Sequence, residues 1–194
     1  MSKKLVSLLL AVMLLMTGVV YAEFNGSKTT ADTTTTRVVS STGLQVSADF
    51  KVFTTDPTAF STDVSNQISA FLSGPDARIA GFFSEQIQSE ISALLPMGMD
   101  LGKLEMNEFT ALDALNYLVA YGDVTVAFTF ATPYTFGQTV VALVGVSTPV
   151  GVEWHVLSAT VNADGEVEIV FPADVVTLVN ANEAVLAVLS VPAN

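Results

Sequence analysis

Cysteine is absent from all 194 residues. That excludes a disulfide framework and a lipid-modified N-terminal cysteine, so an exported form must cohere by burying apolar side chains. Histidine occurs once, at His155, which leaves zinc or copper without the nitrogen and sulfur ligands they favour. A serine hydrolase would have to use His155 as its base. No Gly-x-Ser-x-Gly elbow accompanies it, since Gly145-Val146-Ser147-Thr148-Pro149 fails at the last position. Gly98-Met99-Asp100-Leu101-Gly102-Lys103 lacks the spacing of a phosphate-cradling loop. Basic residues are scarce: seven Lys and Arg stand against 19 Asp and Glu. Lys103 is the last of them, and the 91 residues from Leu104 to Asn194 carry ten carboxylates. Nucleic-acid binding requires Lys and Arg to neutralise phosphates, so nucleic acid and anionic lipid are not expected partners.

Long hydrophobic runs are also missing. The longest, Leu5 to Met16, is well short of the about 20 apolar residues that span a bilayer. It sits between Lys3-Lys4 and Val20-Tyr21-Ala22, the layout of a secretory signal cleaved before Glu23. Residues 1–22 are therefore predicted to be a signal peptide and the protein to be secreted, with no stable membrane insertion after cleavage. Loss of Lys3 and Lys4 takes the formal net charge from −12 to −14, a surface that favours solubility. Residues 23–43 are rich in Ser and Thr and predict a disordered leader. Asn25-Gly26-Ser27 within it fits the N-glycosylation pattern.

From Leu44 to Phe53 apolar and polar residues alternate, predicting a strand. Asp56-Pro57 then opens a helix carrying Phe60, Val64, Ile68, Phe71 and Leu72, ended by Gly74-Pro75. A second helix is predicted to open beside Pro75 and Asp76, with Ile79, Phe83, Ile87, Ile91 and Leu94 as its apolar stripe, and to stop at Pro96. Residues 44–103 thus read as a strand plus a helical hairpin packed on the rest of the protein, with a partner or membrane groove as the alternative. In 104–194 the composition turns to Val, Thr, Phe and Ala. Val124, Val126, Phe128 and Phe130 alternate with polar or small residues; Gln138 to Val146 reads as a central strand and Ala184 to Val191 as a final buried one. Val152 to Val161 changes phase at Leu157, predicting a bulge. Asn162-Ala163-Asp164-Gly165 is a turn signal leading to Val167, Ile169 and Phe171. Leu104 to Tyr121 is ambiguous and is read as mainly strand. The expected fold class is α+β: an N-terminal strand and helical hairpin followed by an antiparallel β-sandwich, the two parts separate or one integrated domain.

The segments Gln138 to Leu143, Glu153-Trp154 and Ala159 to Val167 resemble the immunoglobulin-like and fibronectin-like modules of bacterial secreted and surface proteins. The resemblance covers the C-terminal half and implies a spacer or adhesive role without a catalytic residue. Among side chains that could touch a ligand, Tyr134, Trp154 and His155 are the candidates, with Tyr117 and Tyr121 as further members of an aromatic platform for sugar or peptide. Asn162, Asp164 and Glu166 faintly suggest a calcium loop, and a two-strand turn accounts for the same residues. No catalytic residue, metal or cofactor is expected. The expected function is a non-enzymatic binding, adhesive or structural module with a protein or glycan partner. A carboxylate-dependent hydrolase, and a carrier or inhibitor using the helical hairpin, are the alternatives.

Overall fold

Val124, Val126 and Phe128 turn one face of a strand to the interior while Thr125 and Thr129 line the other, and Val167, Ile169 and Phe171 repeat the pattern. In the computed structural model, which describes residues 34–46, 51–53, 83–113, 116–130 and 133–191, the strands are β1 (Thr34–Ser40), β2 (Gln45–Val46), β3 (Lys51–Phe53), β4 (Glu105–Asp113), β5 (Val124–Thr129), β6 (Val140–Thr148), β7 (Gly151–Val161), β8 (Val167–Phe171) and β9 (Ala184–Ser190). Two helices, α1 (Glu85–Leu94) and α2 (Ala173–Ala181), accompany them, with 3-10 turns at Leu101–Lys103 and Asn116–Tyr121. The fold is α+β, with the strands antiparallel in the order β2-β1-β5-β8-β7-β6-β9-β4-β3.

This sheet does not lie flat. Strands β2 and β3 stand at opposite ends of the order, yet four residues separate them, a reach of about 17 Å at most. Nine strands laid flat would hold their ends about 38 Å apart. β1 also touches β3 directly. The bend falls in β7, where residues 151–158 pair with β6 and residues 159–161 pair with β8. Val38 and Val46 on one flank, Leu112 and Leu186 on the other, and Val176 of α2 consequently share one apolar cluster. A second cluster lies on the other face of β4, β6 and β9, where Phe83 and Ile91 meet Phe109, Leu143 and Leu189.

Several expectations need correction. Residues 34–40 of the predicted disordered leader form β1, because threonine is a good strand residue and Val38 finds a buried place against β5; residues 23–33 lie outside the described residues. The expected strand from Leu44 to Phe53 is divided: β2 pairs with β1, β3 pairs with β4, and 47–50 lie outside the described residues. The first hairpin helix, from Asp56 to Gly74, is likewise outside them. The described second helix starts at an N-cap, Ser84, whose hydroxyl accepts from the Ile87 amide at 3.4 Å. Phe83 therefore precedes the helix, and Gln88 Nε2 donates back to its carbonyl at 2.7 Å.

The predicted bulge at Leu157 is replaced by unbroken register from Gly151 to Ser158. Val152, Trp154 and Val156 face the cluster under α1, while Leu157, Ala159 and Val161 face the larger cluster. Alternation never slips; burial passes from one face to the other. The register does shift in β4 between Met106 and Glu108. The ambiguous 104–121 segment resolves into β4 followed by the 3-10 turn. Helix α2 was not foreseen, since Val-rich ADVVTLVNA looks like a strand by propensity. It forms because Val175, Val176 and Val179 fall on one buried side, and Asp123 Oδ1 accepts from the first-turn Ala173 amide at 2.9 Å.

Candidate functional site

The surface of β1, β5 and β8 that faces away from the core is set by their register. Arg37 lies opposite Ala127, and Ala127 lies opposite Glu168. On three adjacent strands these residues stand abreast, and the short middle side chain lets the outer two form an ion pair. Ala127 is left only 1% exposed although it points outward. Beside the pair is a recess of about 270 Å³ lined by Arg37, Val39, Thr125, Ala127 and Glu168.

The pair is anchored on the β7–β8 turn. Asn162 Nδ2 donates to Glu166 Oε2 at 2.7 Å and to Glu168 Oε1 at 3.3 Å. Asn162 Oδ1 accepts from the amides of Asp164 and Glu166, each at 3.0 Å. The oxygen that a calcium loop would direct at a cation thus holds the turn. Among the described residues no three Asp, Glu or His side chains converge as a metal site. Gly165 has φ +80°, and a Cβ there would stand 2.9 Å from the Tyr134 carbonyl oxygen. Asn162→Ala should therefore lower stability by about 1–2 kcal/mol. A urea midpoint equal to that of the parent would refute the anchoring role.

Tyr134, Trp154 and His155 are not brought together. Tyr134 is in the larger cluster, 5.9 Å from Phe130 in an edge-on contact. Trp154 lies under α1, edge-on to Phe83 at 5.2 Å. His155 points to the opposite side of β7, with Nε2 3.7 Å from Glu153 Oε1. Tyr121 is on the exposed 3-10 turn, and the Tyr117 side chain is outside what is described. No shared aromatic platform forms from these described side chains.

No family model, curated protein or solved structure matches the chain. Its site is accordingly defined by geometry alone.

A second polar group lies inside. Glu108, Thr110 and Ser190 are buried, and Ser190 Oγ accepts from Asn107 Nδ2 and, at 3.1 Å, from Gln138 Nε2. Burial, and then the charge of Glu108, raise the Tyr134 phenol far above its ordinary value; its hydroxyl has no hydrogen-bond partner among the described residues. In the folded protein Tyr134 therefore keeps its proton where the unfolded chain would lose it, near pH 10. The associated stability is complete below that pH and is lost as pH rises beyond it, by about 1.4 kcal/mol per pH unit. Tyr134→Phe should be neutral or slightly stabilising at pH 7 and should flatten the alkaline fall. An unchanged alkaline slope would contradict this assignment.

Neither Arg37 nor Glu168 was recognised from sequence. The available signal was slight: one cation in a run of threonines, and one alanine between phenylalanine and valine in a strand. Pairing across 131 positions joins them.

Proposed function

We propose that this chain is an exported, non-enzymatic binding or structural module, freed of residues 1–22, whose outer β1–β5–β8 face meets a protein or glycan outside the cell. We further read its curled sheet as an immunoglobulin-like sandwich. The short path between β2 and β3 and the apolar cluster shared by both flanks support that architecture. The observation carrying the binding role is the recess on the outer face, where Arg37 is exposed and Thr125 and Glu168 are half-buried. By contrast, Phe83 and Ile91 at α1 are engaged with the sheet, which weakens the reading of this helix as a carrier's contact surface.

The hydrolase reading retains one specific observation, a buried Glu108 acting electrostatically on Tyr134. The deciding experiment is a glycan and protein array probed with the purified chain, beside generic glycosidase, esterase and peptidase assays. The expected result is saturable binding without turnover. Turnover abolished by Glu108→Gln in a folded variant would overturn the non-enzymatic reading.

A further inference from the structure

We propose that the recess beside the Arg37–Glu168 pair is a subsite for an uncharged sugar ring. This inference rests on reading the outer β1–β5–β8 face as the ligand face. Three features point to that chemistry. The first is the pairing of β5, the middle strand of the recess: it is bonded to β1 on one side and to β8 on the other. An extended peptide, whose main recognition mode is backbone pairing with a free edge, has no ladder to join on β5. A ligand on this surface must be held by side chains.

The second feature is charge. Arg37 and Glu168 already satisfy one another, so a cation approaching Glu168 meets Arg37 and an anion approaching Arg37 meets Glu168. Glu166 and Asp164 follow on the adjoining turn, and the chain carries a net charge of −12, which further disfavours anions. An uncharged ligand bearing both donors and acceptors can address both partners without separating their charges. The third feature is the lining. Val39 supplies apolar surface, Thr125 a hydroxyl, and the ion pair over the buried Ala127 a fixed donor and acceptor. A pyranose ring presents the complementary set, with C–H groups on a face and hydroxyls around its rim. A volume of about 270 Å³ accommodates one ring. The site is shallow, so affinity from this subsite alone belongs in the millimolar range.

The test is a two-dimensional amide NMR titration of the purified chain with glucose, galactose, mannose and N-acetylglucosamine, using glucuronate as the charged counterpart. At least one neutral sugar should give saturable shifts at Thr125, Ala127 and Glu168, with glucuronate binding more weakly. Thr125→Val keeps the shape and strand preference of an outward residue and should weaken binding about threefold to tenfold. Glu168→Gln should weaken it at least about tenfold. If Glu168→Gln proves poorly folded, Thr125→Val decides alone. The subsite is overturned if no neutral sugar shifts these amides up to about 100 mM, if shifts map elsewhere, or if both folded variants bind as tightly as the parent. A protein ligand shifting the same amides while sugars do not would remove the subsite and leave the module reading intact. Sugar conversion during the titration would remove the module reading.

Discussion

Phe128→Ala should lower the free energy of unfolding by about 3–5 kcal/mol. Phe128 is fully buried in the middle of β5, with its ring centroid 6.1 Å from Phe130 and 6.3 Å from Phe171. Truncation removes the transfer energy of the ring and leaves a cavity that strands paired on both sides cannot collapse to fill. Natural domains have only about 5–15 kcal/mol in total, so the variant should melt far below the parent. Phe136→Ala is the control: that ring is 71% exposed, and its loss should cost no more than about 0.5 kcal/mol. Equal urea midpoints for the two variants would show that the interior is assigned wrongly. Trp154, the sole tryptophan, reports this unfolding from the other apolar cluster. Coincident fluorescence and circular-dichroism transitions are therefore expected if both clusters belong to one cooperative unit.

Gly145→Ala should cost about 1–3 kcal/mol through overpacking, with a red shift in tryptophan emission. Gly145 is paired directly with Trp154 across β6 and β7. A Cβ at position 145 would lie 2.8 Å from Cη2 and Cζ3 of the indole and 3.0 Å from Cε3. The missing side chain is thus a seat for the ring, and Phe83 holds the ring there edge-on. Either the indole or the strand must move. A smaller partner should relieve the clash, so Gly145→Ala in a Trp154→Leu background should cost much less than in the parent, a coupling that a double-mutant cycle measures. A Gly145→Ala protein with parental stability and emission would show that the indole does not rest on β6.

These two sites illustrate how unevenly the structure can be read from the chain. Alternation placed the apolar side of β5 correctly, because period two is a local property of a strand. The buried β9 and the turn at Asn162–Gly165 were legible for the same reason, one through a continuous apolar run and the other through residues that favour tight turns. By contrast, α2 has the β-branched residues of a strand, and its helical state depends on Asp123 and on the buried side formed by Val175, Val176 and Val179. The β1 segment resembles a polar leader until β5 offers it a paired edge.

The candidate site shows the same division more sharply. Tyr134, Trp154 and His155 were chosen by residue type, and residue type does not say which side of a sheet or which cluster receives a side chain. Arg37, Ala127 and Glu168 meet only because three strands distant in sequence adopt one register. By itself the sequence determined the acidic, cysteine-free composition, the single histidine and most strand periodicities, all of which reside in neighbouring residues. Tertiary structure alone decided the curl between β2 and β3, the helical state of α2 and the ion pair over Ala127. Each of those depends on strand register and long-range burial, free energies that no local window of the chain contains.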